Sequence, residues 1–319
     1  MAEPNDNRCR PVVQGLRRGL SGFVWLLKIL IPVSLATALL DYSGWIQKLD
    51  FALQPVMAVL SLPAAAALPI LIGMTAGVYA CLAAMAVLPL SVDQMTLISV
   101  FVLIAHNLPQ EGIIQSRSGI GFMKTTCVRI AAAIAACGVV AWCLQADGGA
   151  VAAPASAGLG PSAPLGVFLQ DWLGGMLRLC AKVFVIVMGV MVLIEAMKAF
   201  HLVDLFVRVF APVLKMMGLH QRAGMLWLTS VLFGLAYAGA VIVEESGQLK
   251  LSPEEVEKLH LSIGINHSMI EDPLLFLPFG VSLFWLLVPR LAAAVATVYL
   301  VSLWFRFKRA AERRAALRG

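Results

Sequence analysis

Seven stretches of this 319-residue chain run with little or no charge: 22–40, 63–90, 97–106, 130–145, 179–194, 224–243 and 274–305. A helix needs about 20 apolar residues to cross a bilayer core about 30 Å thick, so these runs dictate how the chain meets a membrane. A bilayer accepts only helices or closed barrels, and the alternating pattern of barrel strands is absent. The expected fold class is therefore an all-α polytopic membrane protein. Composition agrees: 60% of residues are hydrophobic, 13% are charged and the mean hydropathy is +0.88, more apolar surface than a soluble domain of this length needs. The net charge of +6 sits in clusters beside the apolar runs. That is an orientation signal, and without a basic stripe interleaved with aromatics no nucleic-acid partner is expected. The six cysteines form no CxxC pair and read as buried free thiols. The basic "RRGLSGF" (17–23) before the first run has the look of an export signal. Its counterpart in the second half makes it a permanent helix instead.

That second half repeats the first. At an offset of 161 residues, Gly73 falls on Gly234, Ser91 on Ser252, His106 on His267, Gly119 on Gly280 and Arg129 on Arg290. The stretch "VRIAAAIAA" (128–136) likewise matches "PRLAAAVAT" (289–297). Upstream, "LLKIL" (26–30) resembles "CAKVF" (180–184), and Pro55 resembles Pro212. A match of this kind points to a duplicated unit. The units are 21–145 and 167–305, joined by the Ala/Gly/Pro/Ser-rich linker 146–166 and flanked by basic tails at 1–20 and 306–319.

Charge gives the sidedness. Arg8, Arg10, Arg17 and Arg18 precede the first run, while Arg306, Lys308, Arg309, Arg313, Arg314 and Arg318 follow the last. Both termini are expected to be cytoplasmic, in a bacterial inner membrane, with the linker on the outer side. Each unit then crosses an odd number of times, so the repeat is inverted. Arg117 and Lys124, and Lys198, Arg208, Lys215 and Arg222, fall inside on this plan. The acidic segment 244–260 falls outside. Each unit is expected to hold about three transmembrane helices, a re-entrant helical hairpin and an interfacial amphipathic helix at 45–57 or 201–217.

Within the duplication one costly phrase recurs: "IAHNLPQEGII" (104–114) and "INHSMIEDPLL" (265–275). Each sets a histidine among aliphatic residues, follows it with a small polar residue and places an acid five positions on. Pro109 and Gly112, or Pro273, would interrupt the helix. Broken helices at corresponding positions of inverted repeats are where secondary transporters bind solute. Ionisable groups at membrane depth cost several kcal/mol unless paired, solvated or functional. The candidate solute- or ion-binding set is therefore His106, Asn107, Gln110 and Glu111 with Asn266, His267, Ser268, Glu271 and Asp272. Imidazole plus carboxylate suits Zn, Mn or Fe(II), which makes His106, Glu111, His267 and Asp272 the metal-ligand candidates. The same groups can carry protons, or the histidines can simply bond backbone freed at the break. Arg129 and Arg290, at matched Ala-rich sites, read as helix ties or as anion handles. Glu244 and Glu245 read as an outer vestibule or a helix end. No resident cofactor is expected; a divalent ion enters as substrate or ligand. No GxxxxGK[ST], HExxH or GxSxG is present, so no enzyme is expected.

The Gly73/Gly234 pair, the "LPLS"/"LKLS" corner (88–91, 249–252) and the broken "AHNLPQEG"/"NHSMIEDP" stretches resemble the nucleoside-recognition, or gate-domain, family of membrane proteins. That family takes in bacterial spore-maturation membrane proteins, and the gate regions of concentrative nucleoside transporters and of the ferrous-iron transport GTPase are related to it. The resemblance covers most of residues 20–305 and implies an inner-membrane, transporter-like protein. "HNLPQEG" also resembles the HNxPEG signature of zinc/iron-regulated transporters, with one inserted residue that changes the helical phase between His and Glu. Three functions stay open: a permease for a divalent cation or proton-coupled solute, one for a nucleoside or similar polar solute, and a structural membrane protein without flux. The expected partners are the lipid bilayer and a small solute or ion, with a homo-oligomer left open.

Overall fold

A computed structural model describes residues 6–48, 50–146, 164–200, 203–219, 221–234 and 251–317, and their regular structure is helical throughout. The Glu244 and Glu245 pair, most of the 146–166 linker and much of the 224–243 run lie outside the described residues. Among the described residues five segments are long and apolar enough to cross a membrane: Pro11–Tyr42, Val92–Arg117, Phe122–Leu144, Leu165–Ala199 and Leu283–Ala316. Proline within the first and last of these (Pro32, Pro289) is tolerated because neighbouring helices and local adjustment satisfy the freed carbonyls.

The outer frame pairs α1 (Asp6–Tyr42) with α9 (Leu165–Ala199), running antiparallel. Arg18 bonds Glu195, the Phe23 and Phe184 rings meet edge-on at 5.0 Å, and Trp172 Nε1 donates to Ser34 Oγ at 3.1 Å. The helices touch where Gly15 and Gly19 leave room. A Cβ at Gly15 would stand 2.6 Å from the Val192 Cα, and one at Gly19 would stand 2.7 Å from Met188 Sδ. Small residues four apart allow this backbone approach in lipid, where dispersion replaces the hydrophobic effect.

The apolar run 63–90 holds no helix long enough to cross a membrane. It forms α4 (Ala67–Ala76) and α5 (Val78–Met85), which fold back on each other about Gly77. At φ +92° and ψ −177° Gly77 adopts a backbone that residues with a Cβ avoid. A Cβ on Gly73 would reach within 3.2 Å of the Cys81 Cβ, so the two arms are in contact.

The expected hairpin at 94–114 is corrected by this placement. There α6 (Val92–Ala105) and α7 (Leu108–Arg117) follow one another in a single direction along α8 (Phe122–Leu144). Leu97 lies at Cys137, Ile104 and His106 at Arg129, Gly112 against Phe122, and Gln115 at Thr125. Pro109 does not turn the chain, because it sits in the first turn of α7, where its missing N–H is no loss. The break falls earlier, at His106 and Asn107, the latter in the left-handed region with φ +50°. This broken helix is the interior of the molecule: 72% of its apolar window is buried, against 28–33% for the other four spans.

The second half repeats the local design. Ser252 and Glu255 form a capping box on α12 (Pro253–Asn266), as Ser91 and Gln94 do on α6. His267 ends α12 in the same extended conformation as His106, Ser268 has φ +53°, and Gly119 and Gly280 are both left-handed. The hairpin register differs. The amide of Ser268 donates to Ser230 O at 3.2 Å, as that of Asn107 does to Gly73 O at 3.0 Å. Gly234, at the end of α11 (Gln221–Phe233), therefore corresponds to Gly77, and the expected Gly73/Gly234 pairing is off by one helical turn. After its break the second half has one α-helical turn, α13 (Glu271–Leu274), and a 3₁₀ turn at Leu277–Phe279 before α14 (Leu283–Ala316).

Of the two amphipathic stretches, 45–57 divides into α2 (Trp45–Lys48) and α3 (Asp50–Ala58), while 201–217 yields one helix, α10 (Val203–Met217). The acidic segment leading into α12 lies at the end of the bundle that holds the C-terminus. Glu257 pairs with Lys124 at 2.5 Å, and Glu254 pairs with Arg309 at 2.7 Å and Lys258 at 2.8 Å. The expectation that 244–260 faces the opposite side fails for these residues, because acids that balance local bases weigh little in a rule that counts Lys and Arg.

Candidate functional site

The two breaks meet. His106 and His267, 6% and 2% exposed, place their Nε2 atoms 3.1 Å apart, with ring centroids at 4.8 Å. Glu111 Oε1 stands 3.1 Å from His267 Nε2 and 3.2 Å from His106 Nε2. Asp272 Oδ2 lies just beyond, 3.6 Å from His106 Nε2. Each acid stands five positions after its histidine, so the chain must pass through the break before the carboxylate can turn back toward the ring.

What builds the break is the same in both halves. Each histidine carries its Nδ1 3.0 Å from a carbonyl one turn back, Val102 O for His106 and Ile263 O for His267. A carbonyl oxygen only accepts, so Nδ1 holds the proton on each ring. Each arginine then closes the helix end. Arg129 donates Nε to Ile104 O at 2.9 Å and Nη2 to His106 O at 2.8 Å. Arg290 donates Nε to Ile265 O at 2.7 Å and Nη2 to His267 O. Both arginines are fully buried, and each satisfies two carbonyls that the interrupted helix leaves without partners. The helix-tie reading of these two residues therefore describes their contacts.

With Nδ1 protonated, a neutral imidazole presents a bare lone pair at Nε2. Two such lone pairs and a carboxylate oxygen converge in a triangle of 3.1, 3.1 and 3.2 Å. Three acceptors packed this closely repel one another unless a cation stands between them. Backbone carbonyls behind both rings are the outer partners that orient metal-binding histidines. His106, Glu111 and His267 are the described residues able to hold a metal ion together; Asp272 stands outside that triangle.

The other expected site residues divide by role. Asn107 donates Nδ2 to Gln110 Oε1 at 3.0 Å and lies at the hairpin tip, 3.9 Å from where a Gly77 Cβ would be; Gln110 is exposed. Ser268 holds the same place beside Gly234. Glu271 accepts from the Tyr79 hydroxyl at 2.6 Å, and Trp25 covers that tyrosine edge-on at 5.9 Å. Tyr79 escaped the sequence reading, since nothing marks a lone tyrosine three positions past the hairpin arm as a partner for position 271. Asn266 is fully buried and neither end of its amide has a partner.

Residues 23–143 match the family model described as "Gate: Nucleoside recognition". The whole chain is also similar to a curated relative, the "Uncharacterized membrane protein YvoD" of Bacillus subtilis (strain 168), at 27% identity over 95% of this chain and 98% of that one. No solved structure matches significantly. The matched segment runs from within α1 to near the end of α8 and holds His106, Glu111 and Arg129. His267 and Asp272 come to them from the half beyond the match.

Proposed function

We propose that this protein is a permease of the bacterial inner membrane, with cytoplasmic termini, whose cargo is a divalent transition-metal cation bound at His106, His267 and Glu111. The two units 21–145 and 167–305 act as an inverted repeat, since α6 approaches the site from the linker end of α8 and α12 from the opposite end. The observation that carries this reading is the triangle of three lone-pair donors. A tetrahedral ion with ligands at about 2.05 Å needs ligand–ligand edges of about 3.3 Å, and the observed edges are 3.1–3.2 Å. A single proton shared from His267 relieves two of the contacts and leaves the third repulsive, whereas a metal ion relieves all three. Arg129 Nη1, 2.7 Å from Glu111 Oε2, holds the carboxylate so that Oε1 faces the rings. The arrangement binds and releases a cargo and carries out no reaction on it.

A second reading, a nucleoside or similar polar solute, rests on the description of the Gate model that matches 23–143. One experiment separates them. Purified protein is melted with Mn²⁺, Zn²⁺ or a panel of nucleosides, and the same solutes are tested for uptake in proteoliposomes. The metal reading requires stabilisation and uptake with a metal, both lost in His106→Ala and His267→Ala. Stabilisation by a nucleoside, with metals inert, overturns it.

A further inference from the structure

Arginines 129 and 290 make identical backbone bonds, but their third faces differ. Arg129 Nη1 forms an ion pair with Glu111 Oε2 at 2.7 Å, out of hydrogen-bond alignment. Arg290 Nη1 has neither a hydrogen-bond nor an ion-pair partner among the described residues, although the residue is 1% exposed. The carboxylate that occupies Glu111's place in the repeat is Asp272, one methylene shorter and turned toward His106 instead. A buried guanidinium face without an acceptor is among the costlier things a protein can leave undone. Asn266 lies between the two residues whose carbonyls Arg290 holds, Ile265 and His267. Its amide is 0% exposed and unpartnered at both oxygen and nitrogen. The first half has Ala105 at that position.

We propose that Arg290 Nη1 and the Asn266 amide form a subsite for a small hydroxyl-bearing oxyanion, of the class of hydrogen carbonate or hydrogen phosphate, bound together with the cation. Arg290 Nη1 and Asn266 Nδ2 donate to oxyanion oxygens, and Asn266 Oδ1 accepts from the hydroxyl, so the three orphaned atoms are satisfied at once. Charge points the same way. Arg129 and Arg290 balance Glu111 and Asp272, and Glu271 beside them offsets only half of a divalent ion's charge, so an accompanying anion reduces the remaining excess. The inference rests on the cation reading above and adds that cation and anion bind with positive coupling.

The test is Co²⁺ titration of the full-length protein in chloride, sulfate or hydrogen carbonate, followed by calorimetry and by the visible spectrum of the metal. Coupling of ordinary size makes Co²⁺ bind about tenfold more tightly with hydrogen carbonate than with chloride, and the anion changes the cobalt spectrum. Sulfate, which carries no hydroxyl at neutral pH, gives a smaller gain. In Asp272→Glu the longer carboxylate reaches Arg290 Nη1, as Glu111 reaches Arg129, and the gain disappears. In Asn266→Leu the preference for hydrogen carbonate over sulfate disappears. Monodisperse elution and an unchanged helical spectrum certify that each variant is folded. Equal Co²⁺ affinity in all three anions, or a gain that persists in Asp272→Glu, overturns the proposal. If Co²⁺ does not bind at all, the cation reading fails; the subsite is then judged by the melting shift with hydrogen carbonate alone, and no shift removes it too.

Discussion

The break at 104–117 and the break at 265–279 share a scaffold and differ in almost every polar group placed on it. Both use a histidine to end the helix, a left-handed residue after it, and an arginine 23 residues on to hold the freed carbonyls. Yet Glu111 is answered by Asp272, Gln110 by Glu271, Ala105 by Asn266, and Gln115 by Phe276. The last pair is instructive. Gln115 donates to His260 O at 2.7 Å and accepts from Thr125 at 2.5 Å, while His260 Nε2 donates to Ser118 O at 3.1 Å. At one end of the bundle the halves are therefore joined by hydrogen bonds, and at the other by the fully buried ring of Phe276. The two breaks share the groups that satisfy an interrupted helix, while the polar residues around them differ.

The sharpest way to break this comparison is to remove each arginine. Arg290→Ala leaves two buried carbonyls without donors, a loss of about 2–4 kcal/mol. Arg129→Ala leaves the same two and also strips Glu111 of its counter-charge, so it costs more, about 3–5 kcal/mol. Denaturation midpoints of the two variants measured side by side give the order; equal losses would mean that the Glu111 pairing contributes nothing. A step down in size are the two positive-φ glycines at the helix breaks. Gly77→Ala and Gly234→Ala each force a Cβ into positive φ, at about 1–3 kcal/mol, and the two melting shifts should agree within experimental error if the two positions are equivalent. The smallest effect belongs to the ion pairs found on one side only. Hydrogen bonds from Lys258 and then Arg309 hold the Glu254 carboxyl below its ordinary range. A lowered carboxyl stabilises the fold above that range, and the benefit is lost as pH falls through it. Glu254→Gln should therefore lower stability by up to about 1 kcal/mol near pH 7 and by progressively less below pH 4.5. Asp93, its exposed counterpart, should show no such loss as Asp93→Asn.

Much of the site could be read from residue identity, because histidine and acid among aliphatic residues are expensive wherever they stand. His106, His267 and Glu111 meet, and Asp272 lies beside them. The hairpin could not be placed in this way. An apolar run that folds back and one that crosses have the same composition, and only Gly77's backbone separates them. The register erred for a related reason: an ungapped comparison prefers glycine on glycine, whereas the equivalence depends on which glycine is left-handed. Asp272's failure to reach Arg290 comes down to one methylene, and Tyr79's pairing with Glu271 to proximity across the two halves. Neither leaves a trace in spacing.

The contact of Gly15 and Gly19 with Val192 and Met188 has a mechanical corollary. One of these helices belongs to the first half and the other to the second, and they touch backbone to backbone at Gly15, so this seam is a tightly packed contact between the halves. On the permease reading, the opening for a cargo is then expected from the short inner rods, pivoting at His106 and His267. Chemical crosslinks placed across α1 and α9 should leave passage intact.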